Sequence, residues 1–258
     1  MSLTTEKTVI SGINVEVTQG GSGRPLLYLH GGLGLTGTES CLAALAVNHH
    51  VIAPSHPGFG ASDWPHEYKS IADLAYFYLD LAEHYDLRNA ALVGACIGGW
   101  LAAEVLVRST QRFAHLVLVD ALGLKFGDRL TREIADTHGM YKVDADKLIY
   151  ADPSIGARDL TKLSDVELSA IAQNREAFVF YGWKPYMHNP GLRHWLHRID
   201  LPTLVLWGAQ DGVVTTDYGR NYANAISGAK FDVIDNAGHY PDIEQPQELA
   251  SKILSFVG

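Results

Sequence analysis

Ala91-Leu92-Val93-Gly94-Ala95-Cys96-Ile97-Gly98-Gly99-Trp100 is the stretch on which the reading of this chain turns. An apolar, strand-like run ends at a glycine, and glycines stand two positions either side of Cys96 before a helical pattern over Gly98–Val107. Such spacing is a tight strand-to-helix turn that pushes the central side chain outward. A helix N-terminus behind the sulfur favours negative charge on it. A second reading stays open, that of a small buried cysteine in a glycine-rich turn. The stretch has neither a Walker lysine nor a full Gly-x-Gly-x-x-Gly opening, which argues against a nucleotide loop.

Outward from that turn, short apolar runs at Pro25–Tyr28, Val51–Ala53, Ala90–Val93, Leu116–Val119, Thr203–Trp207 and Phe231–Ile234 read as buried strands. Helical patterns over Ser70–Leu81, Gly98–Val107, Tyr218–Ala225 and Gln247–Phe256 lie between or after them, so the fold class is α/β, a mostly parallel sheet with helices on both faces. Polar–apolar alternation over Thr8–Gly12 and Ile13–Thr18 adds two antiparallel strands at the start. From about Gly123 to His197 the alternation stops. Helical pieces are expected there around Arg129–His138, Asp144–Tyr150 and Asp165–Val179, and the interval is too long for a simple connection. It reads as a helical lid, 123–197, inserted between a first core part, 1–122, and a second, 198–258.

The 258 residues are enough for one large core, for which size scaling predicts roughly 11,000 Å² of folded surface. Twenty basic against 29 acidic residues give a net charge of −9 without a Lys/Arg block, which disfavours nucleic acid and anionic membranes as partners. Two cysteines, Cys41 and Cys96, are too few for a disulfide framework, and Cys41 reads as structural. The opening MSLTTEKTVISG has no apolar signal core and no apolar run reaches membrane-spanning length, so a cytoplasmic location is expected. Twelve histidines include no His-x-x-x-His pair with a catalytic glutamate, so no metal is expected.

His30-Gly31-Gly32, Pro57-Gly58-Phe59-Gly60-Ala61-Ser62, Gly94-Ala95-Cys96-Ile97-Gly98, Gly208-Ala209-Gln210-Asp211 and Gly238-His239 follow one another in an order that resembles the lid-bearing branch of the α/β-hydrolase superfamily. The resemblance spans almost the whole chain and implies an eight-stranded sheet. Cysteine stands where members usually carry serine. By that resemblance Cys96 is the nucleophile, Asp211 the acid and His239 the base, with Asp120 a rival acid because some members draw the carboxylate from an earlier strand end. The chemistry asks for the same division: His239 accepts the thiol proton, and the acid fixes its tautomer. Asp211 and His239 also admit plain loop roles. The amides of Gly32 and Ile97 become the oxyanion hole, with Leu33 an alternative donor if the loop register differs. His30 and His56 are expected to support loops, and Trp100 to pack inside its helix.

Phe178, Phe180, Tyr181, Trp183, Tyr186, Met187 and Trp195 form an aromatic-rich set in the lid segment. Leu33, Trp183 and Tyr186 are the expected substrate contacts. The expected activity is cofactor-independent hydrolysis of a small or medium ester, lactone or activated carbonyl compound through an acyl-enzyme. Alternatives are acyl transfer, carbon–carbon bond hydrolysis of a vinylogous diketone, a serine enzyme changed to cysteine that traps its intermediate, and a non-catalytic small-ligand receptor. A homodimer is compatible with this reading.

Overall fold

The computed structural model describes residues 3–128, 130–157 and 159–258. Eight strands form one sheet in the order β1-β2-β4-β3-β5-β6-β7-β8. They are β1 (Thr4–Ile10), β2 (Ile13–Gly20), β3 (Arg24–Leu29), β4 (His49–Pro54), β5 (Ala90–Ala95), β6 (Phe113–Val119), β7 (Thr203–Gly208) and β8 (Lys230–Ile234). The β1–β2 and β2–β4 pairs are antiparallel; every later pair is parallel. The helices are α1 (Glu39–Leu45), α2 (Ile71–His84), α3 (Ile97–Arg108), α4 (Lys142–Ile149), α5 (Asp165–Gly182), α6 (Leu192–Trp195), α7 (Thr216–Ala225), α8 (Pro241–Glu244) and α9 (Pro246–Val257).

The side-chain period of two divides the central strands between two apolar layers. Leu27, Leu29, Leu92, Leu116, Leu118, Val205 and Trp207 pack toward α2, α3 and α7. Leu26, Tyr28, Val93, Val117, Val119 and Leu206 pack toward α1 and α9. Both faces are covered, so the inner strands are continuous apolar runs, and each fully buried large side chain contributes about 1.5–3 kcal/mol. The folded surface is 11528 Å². At the far edge, β8 has alternately exposed residues, and Lys252 Nζ reaches Asp232 Oδ2 at 2.6 Å.

Register decides where the site falls. Ala95 of β5 pairs with Val119 of β6, and Val119 pairs with Leu206 of β7. The next residues, Cys96 and Asp120, therefore leave neighbouring strands at the same level, and the turn after Gly208 opens beside them. The carboxyl ends of parallel strands are where open α/β sheets gather their ligands.

Among the described residues between β6 and β7 no strand joins the sheet, and the chain forms α4, α5 and α6 with short 3₁₀ turns. The helix expected over Arg129–His138 does not form: Arg129 lies outside the described residues, and only Thr137–Gly139 makes a 3₁₀ turn. Side chains capture the backbone there instead. Asp128 Oδ1 accepts from the amides of Leu130 and Thr131, while Glu133 accepts from Phe126 and Gly127 at 2.9 Å each. Downstream, α5 starts with a capping box between Ser164 and Glu167 and runs three residues past Val179.

Candidate active site

Cys96 caps the N-terminus of α3 with φ 53° and ψ −119°, a left-handed backbone that costs a non-glycine residue about 1–3 kcal/mol. Neighbouring strands hold it there: the Cys96 amide donates to Val119 O at 2.9 Å, and its carbonyl accepts from Leu122 at 3.1 Å. Glycine is required beside it. A Cβ on Gly98 would stand 2.1 Å from Leu29 O, so the helix can approach β3 this closely only without a side chain.

Asp211 and His239 come to the same point from the turns after β7 and β8. His239 Nδ1 donates to Asp211 Oδ2 at 2.8 Å, and the amides of Val213 and Val214 donate to Asp211 Oδ1 at 2.7 and 3.1 Å. The Cys96 sulfur lies near enough to act on the ring of His239. Burial works against charge on that ring, but Asp211 and then Cys96 outweigh it and hold its pKa well above the ordinary imidazole value. All three groups are buried. Asp120 lies against them, and a carboxylate oxygen of Asp120, one of Asp211 and a ring nitrogen of His239 are within 4.8 Å of one another. These atoms have the spacing of potential metal ligands, yet the His239 nitrogen facing Asp211 is already engaged in a hydrogen bond.

The His30-Gly31-Gly32 loop is fixed by a closed histidine network. His30 Nδ1 donates to Gly31 O at 2.7 Å, His30 Nε2 accepts from the His56 amide at 2.9 Å, His56 Nε2 donates to His30 O at 3.0 Å, and Tyr78 donates to His56 Nδ1 at 2.5 Å. Every ring nitrogen is used with both rings neutral. Burial lowers the His30 pKa to about 4 and takes His56 well below its ordinary value. Among the described residues, the amides of Gly32 and Ile97 donate to no protein acceptor. A Cβ on Gly31 would lie 2.8 Å from Tyr240 Cε1 and 3.2 Å from Cys96 Cβ, so the loop, Tyr240 and Cys96 meet here.

Above the strand ends lies a cavity of about 250 Å³, at the small end of ligand sites. Gly32 and Leu33 line it from the sheet side, and Ile171, Asn174, Arg175 and Phe178 from one face of α5. Asn174 is occupied with structure: it accepts from Gly60 N at 2.8 Å and donates to Leu33 O at 3.0 Å. His138 and Tyr240 also line it, and both border a second, smaller space beside His239 and Tyr186. Tyr186 donates to Ala135 O at 3.1 Å. Trp183 does not line either space; it is 57% exposed and sets its edge against Tyr186. Trp100 is buried in α3 and donates to Glu104 at 3.2 Å. The lid segment also grips the site's own loops, because Leu148 O accepts from Gly212 at 2.9 Å and Ile149 O from His239 at 2.6 Å.

Sequence reasoning missed Tyr240, His138 and Arg175. Tyr240 is buried beside Cys96, and burial followed by the influence of Cys96 raises its phenol well above the ordinary value. Its place directly after His239 was the available signal. For Arg175 the signal was helical spacing, since 171, 174, 175 and 178 share a helix face.

A family model described as the alpha/beta hydrolase family matches residues 26–252. The chain belongs to that family. This α/β hydrolase is 26% identical over 264 residues to 2-hydroxymuconate semialdehyde hydrolase of Pseudomonas sp. (strain CF600), covering 96% of this chain and 92% of that protein. It is 27% identical over 246 residues to the dihydrolipoyllysine-residue acetyltransferase component of the acetoin cleaving system of Pseudomonas putida, covering 92% of this chain and 64% of that longer protein. In three dimensions the hydrolase resembles the meta-cleavage product hydrolase of Pseudomonas fluorescens IP01 with a TM-score of 0.81 at 20% identity, over 97% of this chain and 96% of that one. That last likeness concerns the fold. The α/β hydrolase is an enzyme of this fold, and no helix among its described residues is long and apolar enough to cross a membrane.

Proposed function

We propose that this hydrolase cleaves a carbon–carbon bond in a small dienol acid bearing a conjugated ketone or aldehyde, with Cys96, His239 and Asp211 as its triad. The observation that carries this over simple ester hydrolysis is the polar content of the cavity. Its walls are largely apolar and include Lys142 and Asp146, which pair with each other; Arg175 also lines it and, among the described residues, no carboxylate forms an ion pair with that guanidinium. His138 Nε2 is buried without a hydrogen-bond partner in the same wall. A cation and an unsatisfied ring nitrogen beside an apolar chamber suit a substrate with a carboxylate and an adjacent oxygen at one end and an acyl group at the other. The first relative's name, a 2-hydroxymuconate semialdehyde hydrolase, describes such a molecule.

In this reading His239 Nε2 takes the Cys96 proton and the sulfur attacks the terminal carbonyl carbon. The developing oxyanion is met by the amides of Ile97 and Gly32. Before the attack the dienol ketonises, its hydroxyl proton passing to the carbon next to the terminal carbonyl; collapse then breaks the carbon–carbon bond, the electron pair passes through the remaining double bond into the new ketone as a dienolate, and His239 returns the thiol's proton to that enolate oxygen. Water, deprotonated by His239, then attacks the thioester, releasing the acid and restoring the thiol. One water is consumed and two carboxylate-bearing or acyl-derived products leave. Asp211 holds the ring in the tautomer that presents Nε2 to sulfur.

The test is turnover of 2-hydroxymuconate semialdehyde and of 2-hydroxy-6-oxo-6-phenylhexa-2,4-dienoate, followed by loss of dienolate absorbance, beside a short aryl ester. Cleavage of a dienol acid with higher kcat/KM than the ester, and a KM that rises about tenfold in Arg175→Met, supports the reading. Ester turnover with no loss of dienolate absorbance overturns it.

A further inference from the structure

The carboxylate assigned as the triad acid has a carboxyl neighbour that the mechanism leaves unused. Asp120 directly follows β6 with φ 44° and is fully buried. Its Oδ1 accepts from the Gly208 amide at 2.9 Å, whereas its Oδ2 is buried with no donor facing it. The groups around it are Asp211, His239 and that amide, brought by β7 and the turns after β7 and β8.

Two buried carboxylates this close cannot both carry charge, because each disfavours the anionic form of the other. Their hydrogen bonds say which one keeps the proton. Asp211 accepts three N–H bonds, from Val213, Val214 and His239, and Asp120 accepts one. Three donors stabilise an anion; a single donor and a bare second oxygen fit a neutral acid.

We propose that Asp120 is a carboxylic acid whose Oδ2–H donates to the Asp211 carboxylate, making it a positioning residue that holds Asp211 against His239. Burial, and then the Asp211 charge, push the Asp120 carboxyl well above the usual carboxylate range, while His239 and the Gly208 amide pull the other way. The orphaned Oδ2 then has a partner, and Asp211 gains a fourth donor. This rests on Asp211 being the triad acid, and it removes Asp120 from that role: a group that already holds a proton cannot stabilise an imidazolium by charge.

Infrared difference spectroscopy between wild type and Asp120→Asn at neutral pH reads the proton directly and needs no substrate. A deuterium-sensitive carbonyl stretch of a protonated carboxyl, present in wild type and lost in the variant, is expected; absence of that band overturns the proposal even if the carbon–carbon reading stands. With any substrate that turns over, Asp120→Asn should keep kcat within about threefold, since the amide oxygen can accept from Gly208 and its NH₂ can donate to Asp211. Asp120→Leu should lower kcat about five- to tenfold at unchanged KM, the size one hydrogen bond supports. A loss in Asp120→Asn as deep as in the leucine variant would show that a negative charge is required there. No loss in either would show that the bond positions nothing, and both of these results overturn the proposal.

Discussion

The strand ends and the lid hold their functional groups by different means. At the strand ends the constraints are backbone against backbone: Gly98 is fitted to Leu29 O, and Cys96 is pinned by Val119 and Leu122. In the lid the contacts that shape the cavity are made by side chains, with Phe178 over Gly32 and the amide of Asn174 bridging Gly60 and Leu33. Exposed large hydrophobics such as Tyr141, Val166 and Trp183 also concentrate in the lid segment. The fit at Gly98 admits no side chain, whereas side-chain walls can be rebuilt without moving the backbone. The groups the proposed chemistry uses thus sit on the sheet and much of the cavity's side-chain wall comes from the lid, with α4 joining the two through its hydrogen bonds to Gly212 and His239.

The largest test of that division is Cys96→Ala. It should lower kcat by about 10⁴-fold or more while the melting temperature holds, because it removes the proposed nucleophile and leaves the turn intact. Next comes acid. Above the ordinary imidazole value of 6.5, His30 is neutral in both folded and unfolded chains, so its environment costs nothing. Between 6.5 and about 4 only the unfolded chain takes up the proton, so stability falls as pH falls, by a total of about 3 kcal/mol. Urea unfolding at pH 7 and 4.5 should show a shallower pH dependence in His30→Asn than in wild type; equal slopes would remove the histidine network from the account.

Phe178→Ala should act on selectivity, shifting kcat/KM toward larger acyl groups by about tenfold while the same change leaves kcat for the smallest substrate nearly unaltered. A uniform collapse of kcat would break the distinction between sheet and lid. The smallest effect belongs to Trp183→Ser. Because the indole is mostly exposed, stability should change by less than about 0.5 kcal/mol and KM should not move, which competitive assays on the purified variant can check.

Most of the sheet could be read in advance because its strands are buried on both faces and therefore appear as unbroken apolar runs, Ala90–Ala95 and Thr203–Gly208 among them. The elbow was legible because backbone crowding leaves glycine as the only residue that fits, and crowding of that kind is visible as spacing. The lid was less so. Asp128 and Glu133 spend their side chains on local amides, and this cancelled the helix that periodicity suggested over Arg129–His138. Tyr186 does border the space beside His239, but Trp183 turns outward; aromatic composition alone does not say which face of a segment looks inward. Arg175 escaped notice since its helix face mixes Ile171 and Phe178 with Asn174, so the stripe is not apolar enough to stand out.

The outermost strand has a consequence of another kind. An edge strand offers unpaired amides and carbonyls to any passing chain, and long flat edges seed intermolecular sheets. β8 has only five residues, begins at Lys230, carries Asp232 bridged to Lys252 at 2.6 Å, and has the Arg220 guanidinium 4.7 Å from the Phe231 ring centroid. A foreign strand docking there would have to desolvate these charges, so the β8 edge of the sheet is a poor template for aggregation.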